Sequence, residues 1–123
     1  MSMEASKSIL KGFKELIVWQ KSYRLVLEMY KLTANFPKSE IYGLTQQIRR
    51  AAVSIPSNIA EGYCRRHKAE YKQFLSIAYG SLSELETQYL LSIDLGYSRR
   101  NETIEGLLKE VGRMLYRMIN PKD

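Results

Sequence analysis

The sequence predicts an all-α protein, an antiparallel up-down-up-down four-helix bundle. Three observations predict it. Apolar residues recur at three- and four-residue steps along four stretches, the spacing that lines one face of an α-helix. The strongest punctuation, at residues 36–39, 61–66 and 95–98, falls between those stretches. No alternating apolar–polar run bounded by hairpin turns competes for a β assignment. Four amphipathic helices joined by short connections bury their stripes as antiparallel neighbours.

The first helix is expected over about residues 13–34, with Leu16, Trp19, Tyr23, Val26 and Tyr30 as its core stripe and Leu27 and Ala34 widening it. The second is expected over about residues 44–62, with Leu44, Ile48, Ala52, Ile55 and Ile59 inward. Pro56 sits inside it. The ring removes a backbone N–H and crowds the carbonyl of Ala52, yet the apolar face keeps its phase from Ile48 to Ile59, which favours a kinked single helix over a break. Ser54, Ser57 and Asn58 stand where they could satisfy the freed carbonyl. The third helix is expected over about residues 68–95, with Tyr71, Phe74, Leu75, Ala78, Leu82, Leu85 and Tyr89 inward and Gly96 as its C-terminal stop. The fourth is expected over about residues 101–119, with Ile104, Leu107, Leu108, Val111, Leu115 and Met118 inward. Asn101-Glu102-Thr103 matches a glycosylation sequon, but Asn101 reads more simply as this helix's N-cap.

The first helix carries a second apolar set, Val18, Leu25, Met29, Leu32 and Phe36, opposite Tyr23. One apolar face suffices for a helix of a monomeric bundle. The second set is therefore expected to be an oligomer interface, a contact of the chain with itself. Ile77, Leu91 and Leu95 form a weaker version on the third helix. A polar stripe, Gln47, Ser54, Asn58 and Glu61, lines one flank of the second helix and reads as a structural hydrogen-bond network. A ligand site built from Asn58, Glu61 and Arg50 is its alternative.

Composition narrows the function classes. At 123 residues, 45% hydrophobic and 26% charged, the chain is one ordinary domain. Residues 1–12 are expected to be a flexible segment, residues 13–119 the bundle and residues 120–123 a short tail. No apolar signal core opens the sequence, and no apolar run approaches the ~20 residues that cross a bilayer. The expectation is a cytoplasmic protein with no membrane partner and a reduced Cys64. One Cys and one His per chain exclude the usual within-chain zinc sites, and no Glu-x-x-His or phosphate-loop motif occurs. Cys64 and His67 are close in sequence and flank Arg65 and Arg66, but no oriented base or oxyanion donor accompanies them. No metal, no cofactor and no catalytic residue is expected.

The net charge of +6 is segregated. No Lys or Arg occurs between Gln73 and Ser98, where Glu84, Glu86 and Asp94 stand. An up-down topology places the second connection beside the start of helix one and the end of helix four. That end collects Lys7, Lys11, Lys14, Arg65, Arg66, Lys68, Arg113, Arg117 and Lys122. Such a basic pole could bind the phosphates of RNA or DNA and release counterions. The residues expected to make the anion contacts are Arg49, Arg50, Arg65, Arg66, Lys68 and Arg113. A protein-interaction module with a merely solvated basic end is the competing reading.

The run over residues 42–62, YGLTQQIRRAAVSIPSNIAEG, resembles the signature of the four-helix-bundle proteins named for 23S rRNA intervening sequences, also labelled S23 ribosomal proteins. Leu16-Ile-Val-Trp19-Gln20, Phe36-Pro37, Phe74 to Ala78 with Gly80-Ser81-Leu82, Glu84-Leu-Glu86-Thr-Gln88 and Leu95-Gly96-Tyr97 agree with it, so the resemblance spans about residues 13–119. It implies an up-down bundle, assembly into homopentameric rings, and no catalytic residues to carry over. Some similar proteins are encoded inside insertions in 23S rRNA genes. A more distant resemblance, to the nucleic-acid-binding accessory protein of diversity-generating retroelements, lacks its defining tracts here. The chain departs from the family at Ser98-Arg99-Arg100-Asn101, where a more acidic start to helix four is usual.

Overall fold

The computed structural model describes residues 12–122. Residues 1–11 of the expected N-terminal segment, with Lys7 and Lys11, lie outside the described residues, as does Asp123. A 3-10 turn over Gly12–Glu15 leads into α1 (Ile17–Thr33). A second 3-10 turn over Lys38–Glu40 precedes α2 (Leu44–Tyr63), followed by α3 (Lys68–Asp94) and α4 (Glu102–Ile119). No strand occurs among the described residues.

Each boundary has a local cause. The first helix begins a turn later than its apolar pattern suggested, because Leu16 is extended (φ −68°, ψ 126°). Its backbone N–H bonds the Phe13 carbonyl at 3.0 Å, which holds the preceding 3-10 turn closed. α2 runs unbroken through Pro56. The Asn58 side-chain amide donates to the Ser54 carbonyl at 2.8 Å and to Ser54 Oγ at 2.9 Å, rather than to the carbonyl of Ala52. α3 ends in a Schellman motif. Gly96 adopts φ +79°, its N–H bonds the Ile93 carbonyl at 3.0 Å, and the Tyr97 N–H reaches the Ser92 carbonyl at 2.8 Å. α4 starts as expected on Asn101, whose Oδ1 accepts the Ile104 N–H at 2.9 Å.

The helices touch in the cyclic order α1–α2–α3–α4–α1. Partners along neighbouring helices fall in opposite order: Gly62 meets Tyr71 and Phe74, while Ser54 meets Ser81. Likewise Gly112 lies against Leu82, and Tyr89 bonds Glu105. The core fills the space between them with Ile48, Ala52, Ile55 and Ile59 of α2, Leu75, Ala78, Leu82, Leu85 and Tyr89 of α3, and Ile104, Leu107, Leu108, Val111 and Leu115 of α4. Those stripes are the expected ones, except that Tyr71, Phe74 and Met118 are only partly buried.

The α1 stripe is not. Val18, Leu25, Met29 and Phe36, expected at an oligomer interface, are buried in the core of this chain, Leu25 and Met29 completely, and Leu32 packs half-buried against them. Tyr23 and Leu27, expected inward, are each 50% exposed, and Tyr30 is 41% exposed. The physical reason lies in Ser22 and Thr33, which fill the gaps in the true core stripe. Both are buried, and both hydroxyls turn back on their own helix, Ser22 to the Trp19 carbonyl at 2.9 Å and Thr33 to the Met29 carbonyl at 2.8 Å. A hydroxyl satisfied this way packs as a small residue, so the stripe is continuous in space although polar letters interrupt it in the sequence.

Candidate functional site

Three surfaces gather the residues singled out by sequence. At the end of the bundle formed by the α2–α3 connection, Arg66, His67 and Lys68 are exposed. The first turn of α3 brings Lys72 beside Ile119, Asn120 and Lys122 at the chain's end, and Gly12 lies against the Tyr63 ring. Arg117 sits one turn below, beside Glu15 and Val18. Lys14, Arg65, Arg66, Lys68, Lys72, Arg117 and Lys122 therefore share this end with only Glu15, Glu61 and Glu70 among the described residues. At the other end, Lys31, Lys38, Arg99 and Arg100 are offset by Glu28, Glu40, Asp94, Glu102 and Glu105.

The expected anion contacts separate into groups. Arg66 lies in the open connection and Lys68 is the first residue of α3, and both are exposed. Arg65 is engaged: its guanidinium bonds Glu61 at 3.0 Å, approaches Glu70 at 3.9 Å, and covers the Phe74 ring at 5.0 Å. Arg113 is exposed on α4, two turns before its end. Arg49 and Arg50 are not at this end. Arg49 Nε donates to Thr33 Oγ1 at 2.9 Å, and its guanidinium stacks 4.4 Å from the Tyr30 ring centroid. It thereby ties α2 to the C-terminal turn of α1, where a cation also meets the helix dipole favourably. Arg50 is exposed beside Ile41, Thr45, Gln46 and Val53.

The second surface is the outer face of α1 and α2. Trp19, Tyr23, Val26 and Leu27 face Val53, Pro56, Ser57 and Ala60 across an open groove of about 410 Å³. It continues past Tyr30 into a second groove of about 490 Å³ that carries Arg49 and Arg50. No carboxylate lines either groove. This is the unpartnered apolar face of α1, with Tyr23, Leu27 and Tyr30 in place of the stripe expected from spacing.

The polar stripe of α2 is smaller than expected. Ser54 Oγ and Ser81 Oγ lie 2.8 Å apart, and Asn58 joins Ser54, so a three-residue network bridges α2 and α3. Glu61 points instead to Arg65, and Gln47 is exposed. Arg50, Asn58 and Glu61 do not converge, which removes the geometry a ligand site built from them requires. Cys64 is exposed, and no group of three or more His, Cys, Asp and Glu side chains is placed to hold a metal ion among the described residues. No helix of the described residues is long and apolar enough to cross a membrane.

One cluster, built on the buried Tyr89, was not anticipated. The Tyr89 hydroxyl donates to Glu105 Oε2 at 2.8 Å and accepts the Asn101 N–H at 2.7 Å. Arg100 grips the same carboxylate through Nε at 3.0 Å and Nη2 at 2.6 Å. Arg100 first, and Tyr89 second, hold the Glu105 carboxyl down to about 2 from the ordinary 4.5. This gives the atypical basic start of helix four a structural role. A carboxylate held that low stabilises the fold above pH 4.5, and that contribution is lost as pH falls from 4.5 toward 2. Urea midpoints are therefore expected to fall over that window. Glu105→Gln is expected to flatten the fall, leaving the part owed to Glu40, whose carboxyl the Leu44 N–H and then the Tyr97 hydroxyl also lower.

A family model described as 23S rRNA-intervening sequence protein matches residues 14–117. The chain is similar to a solved protein of unknown function from the S23 ribosomal protein family of Bacteroides thetaiotaomicron, at 27% identity and a TM-score of 0.72, over 84% of this chain and 98% of that one. No curated protein matches.

Proposed function

Because the chain belongs to the 23S rRNA-intervening sequence protein family, and a solved protein similar to it is described as of unknown function, we propose that it is a non-catalytic, homo-oligomeric bundle that binds RNA or DNA through its basic end. The observation that carries this reading is the clustering of Arg66, Lys68, Lys72, Arg117 and Lys122 on one end while the opposite end is charge-balanced. A modest net charge becomes a local field when it is collected on one pole. Assembly repeats the pole in every subunit, and repeated weak contacts add avidity. Self-association is supported by the apolar α1–α2 face, on which Tyr23, Leu27, Tyr30 and Val53 are exposed together. The resemblance to ring-forming bundles favours a pentamer.

Arg66→Glu combined with Lys68→Glu tests this without touching the ion pairs of Arg65. The double variant is expected to lose at least tenfold in affinity for a mixed RNA or DNA ligand, since each phosphate contact contributes to counterion release, while its melting temperature stays near that of the unmodified chain. Undiminished binding would overturn the assignment to this end. The rival reading, a protein-interaction module, is favoured by the same α1–α2 face and predicts no nucleic-acid affinity at low salt.

A further inference from the structure

We propose that the chain self-associates head to tail: the α1–α2 face of one copy packs against the outer stripe of α3 on the next. The inference rests on the reading that the protein is an oligomer, and it assigns the two surfaces that meet.

The α1–α2 face is bulky and cationic. Tyr23, Leu27 and Tyr30 protrude from it at helical spacing, Arg50 and Val53 stand beside them, and no carboxylate lines its grooves. The α3 stripe has the opposite character. Ile77, Glu84 and Leu91 are seven residues apart, so they stack along one line of the helix. Ile77 and Leu91 are each 47% exposed, and Leu95 extends the line at 56%. Gly80 interrupts this stripe with open space, since nothing lies within 4 Å of where its Cβ would be. No Lys or Arg occurs anywhere from Gln73 to Ser98. One face is thus large and positive, and the other has a gap and is negative.

Complementarity of this kind selects unlike faces. Pairing either face with its own copy sets two surfaces of like charge against each other and leaves the aromatic ridge without the recess at Gly80. The two faces share no residue, so each copy can use both at once. A contact between unlike faces is heterologous, and its repetition closes a ring when the rotation permits.

Leu27→Glu spoils the first face and Leu91→Glu the second, both at half-exposed positions outside the core. Light scattering is expected to show an assembled unmodified chain, monomers for each variant alone, and a 1:1 heterodimer when the two variants are mixed, because one intact pair of unlike faces remains. An assembled mass for either variant alone, or a mixture that stays monomeric, overturns the pairing while leaving self-association standing. An unmodified chain that is monomeric at high concentration overturns self-association itself. Arg50→Glu and Glu84→Lys supply the same test by charge if a Leu variant fails to fold. Each alone is expected to lose assembled mass, and both together in one chain to regain it. A double variant no better assembled than the singles would contradict the pairing.

Discussion

Gly62→Ala is expected to destabilise the protein by about 2 kcal/mol. At the C-terminal turn of α2 a Cβ on this residue would stand 2.8 Å from the Phe74 Cβ, 3.0 Å from Tyr71 Cδ1 and 3.2 Å from the Tyr71 carbonyl oxygen. None of these neighbours is the free end of a flexible side chain, so α2 and α3 must separate locally. Overpacking of this kind costs about 1–3 kcal/mol, occasionally more, and outweighs the ~1 kcal/mol that Ala gains over Gly in a helix interior. The same substitution at Gly106 or Gly80 meets nothing within 4 Å in its own chain, so in the monomer only the helix-propensity gain remains there. Both are expected to raise stability by about 0.5–1 kcal/mol. Urea unfolding of the three variants separates the close approach at Gly62 from a general effect of glycine. Equal shifts in all three would contradict it.

Leu25→Ala is expected to cost about 2–5 kcal/mol, the range for a fully buried Leu whose removal leaves a cavity. Leu27→Ala, two residues away and half exposed, is expected to shift the monomer by no more than about 0.5 kcal/mol. Any larger effect of Leu27→Ala should act through assembly and shrink on dilution, whereas the Leu25→Ala loss should not depend on concentration. The pair reads out directly which face of α1 is inside. A reversed order of effects would restore the arrangement that the apolar spacing suggested.

That reversal marks the limit of what the sequence made legible. Three of the four core stripes, those of α2, α3 and α4, follow from three- and four-residue spacing because in each one apolar stripe is far denser than any other, the outer Ile77, Leu91 and Leu95 of α3 being sparse beside its core set. Helix ends at Gly96 and Asn101 were equally readable, since a left-handed turn and an N-cap each demand particular residue types. α1 has two apolar faces, and periodicity cannot rank them. The one containing Ser22 and Thr33 looks less apolar in letters than it is in space, and Tyr23 and Tyr30 look more fit for a core than their exposure bears out. Tyrosine tolerates both environments because one end of the side chain is polar.

The candidate site was legible in its charge and not in its contacts. The basic end follows from topology alone. Which arginines stay open does not, because Arg49, Arg65 and Arg100 are engaged by partners that only the fold brings to them, namely Thr33 with Tyr30, Glu61 with Phe74, and Glu105. Tyr97, which donates to Glu40 at 2.8 Å from 57 residues away, is invisible to local spacing for the same reason.

Nucleic-acid binding through a pole of collected positive charge is our proposal for this bundle. The most direct measurement is affinity for single-stranded RNA and duplex DNA across a salt series. Binding is expected at low salt and is expected to weaken linearly on a log–log plot, by roughly 0.7–0.9 in slope for each phosphate engaged, with a shallower slope for the Arg66→Glu, Lys68→Glu variant. No binding at low salt, or affinity that does not change with salt, would contradict it.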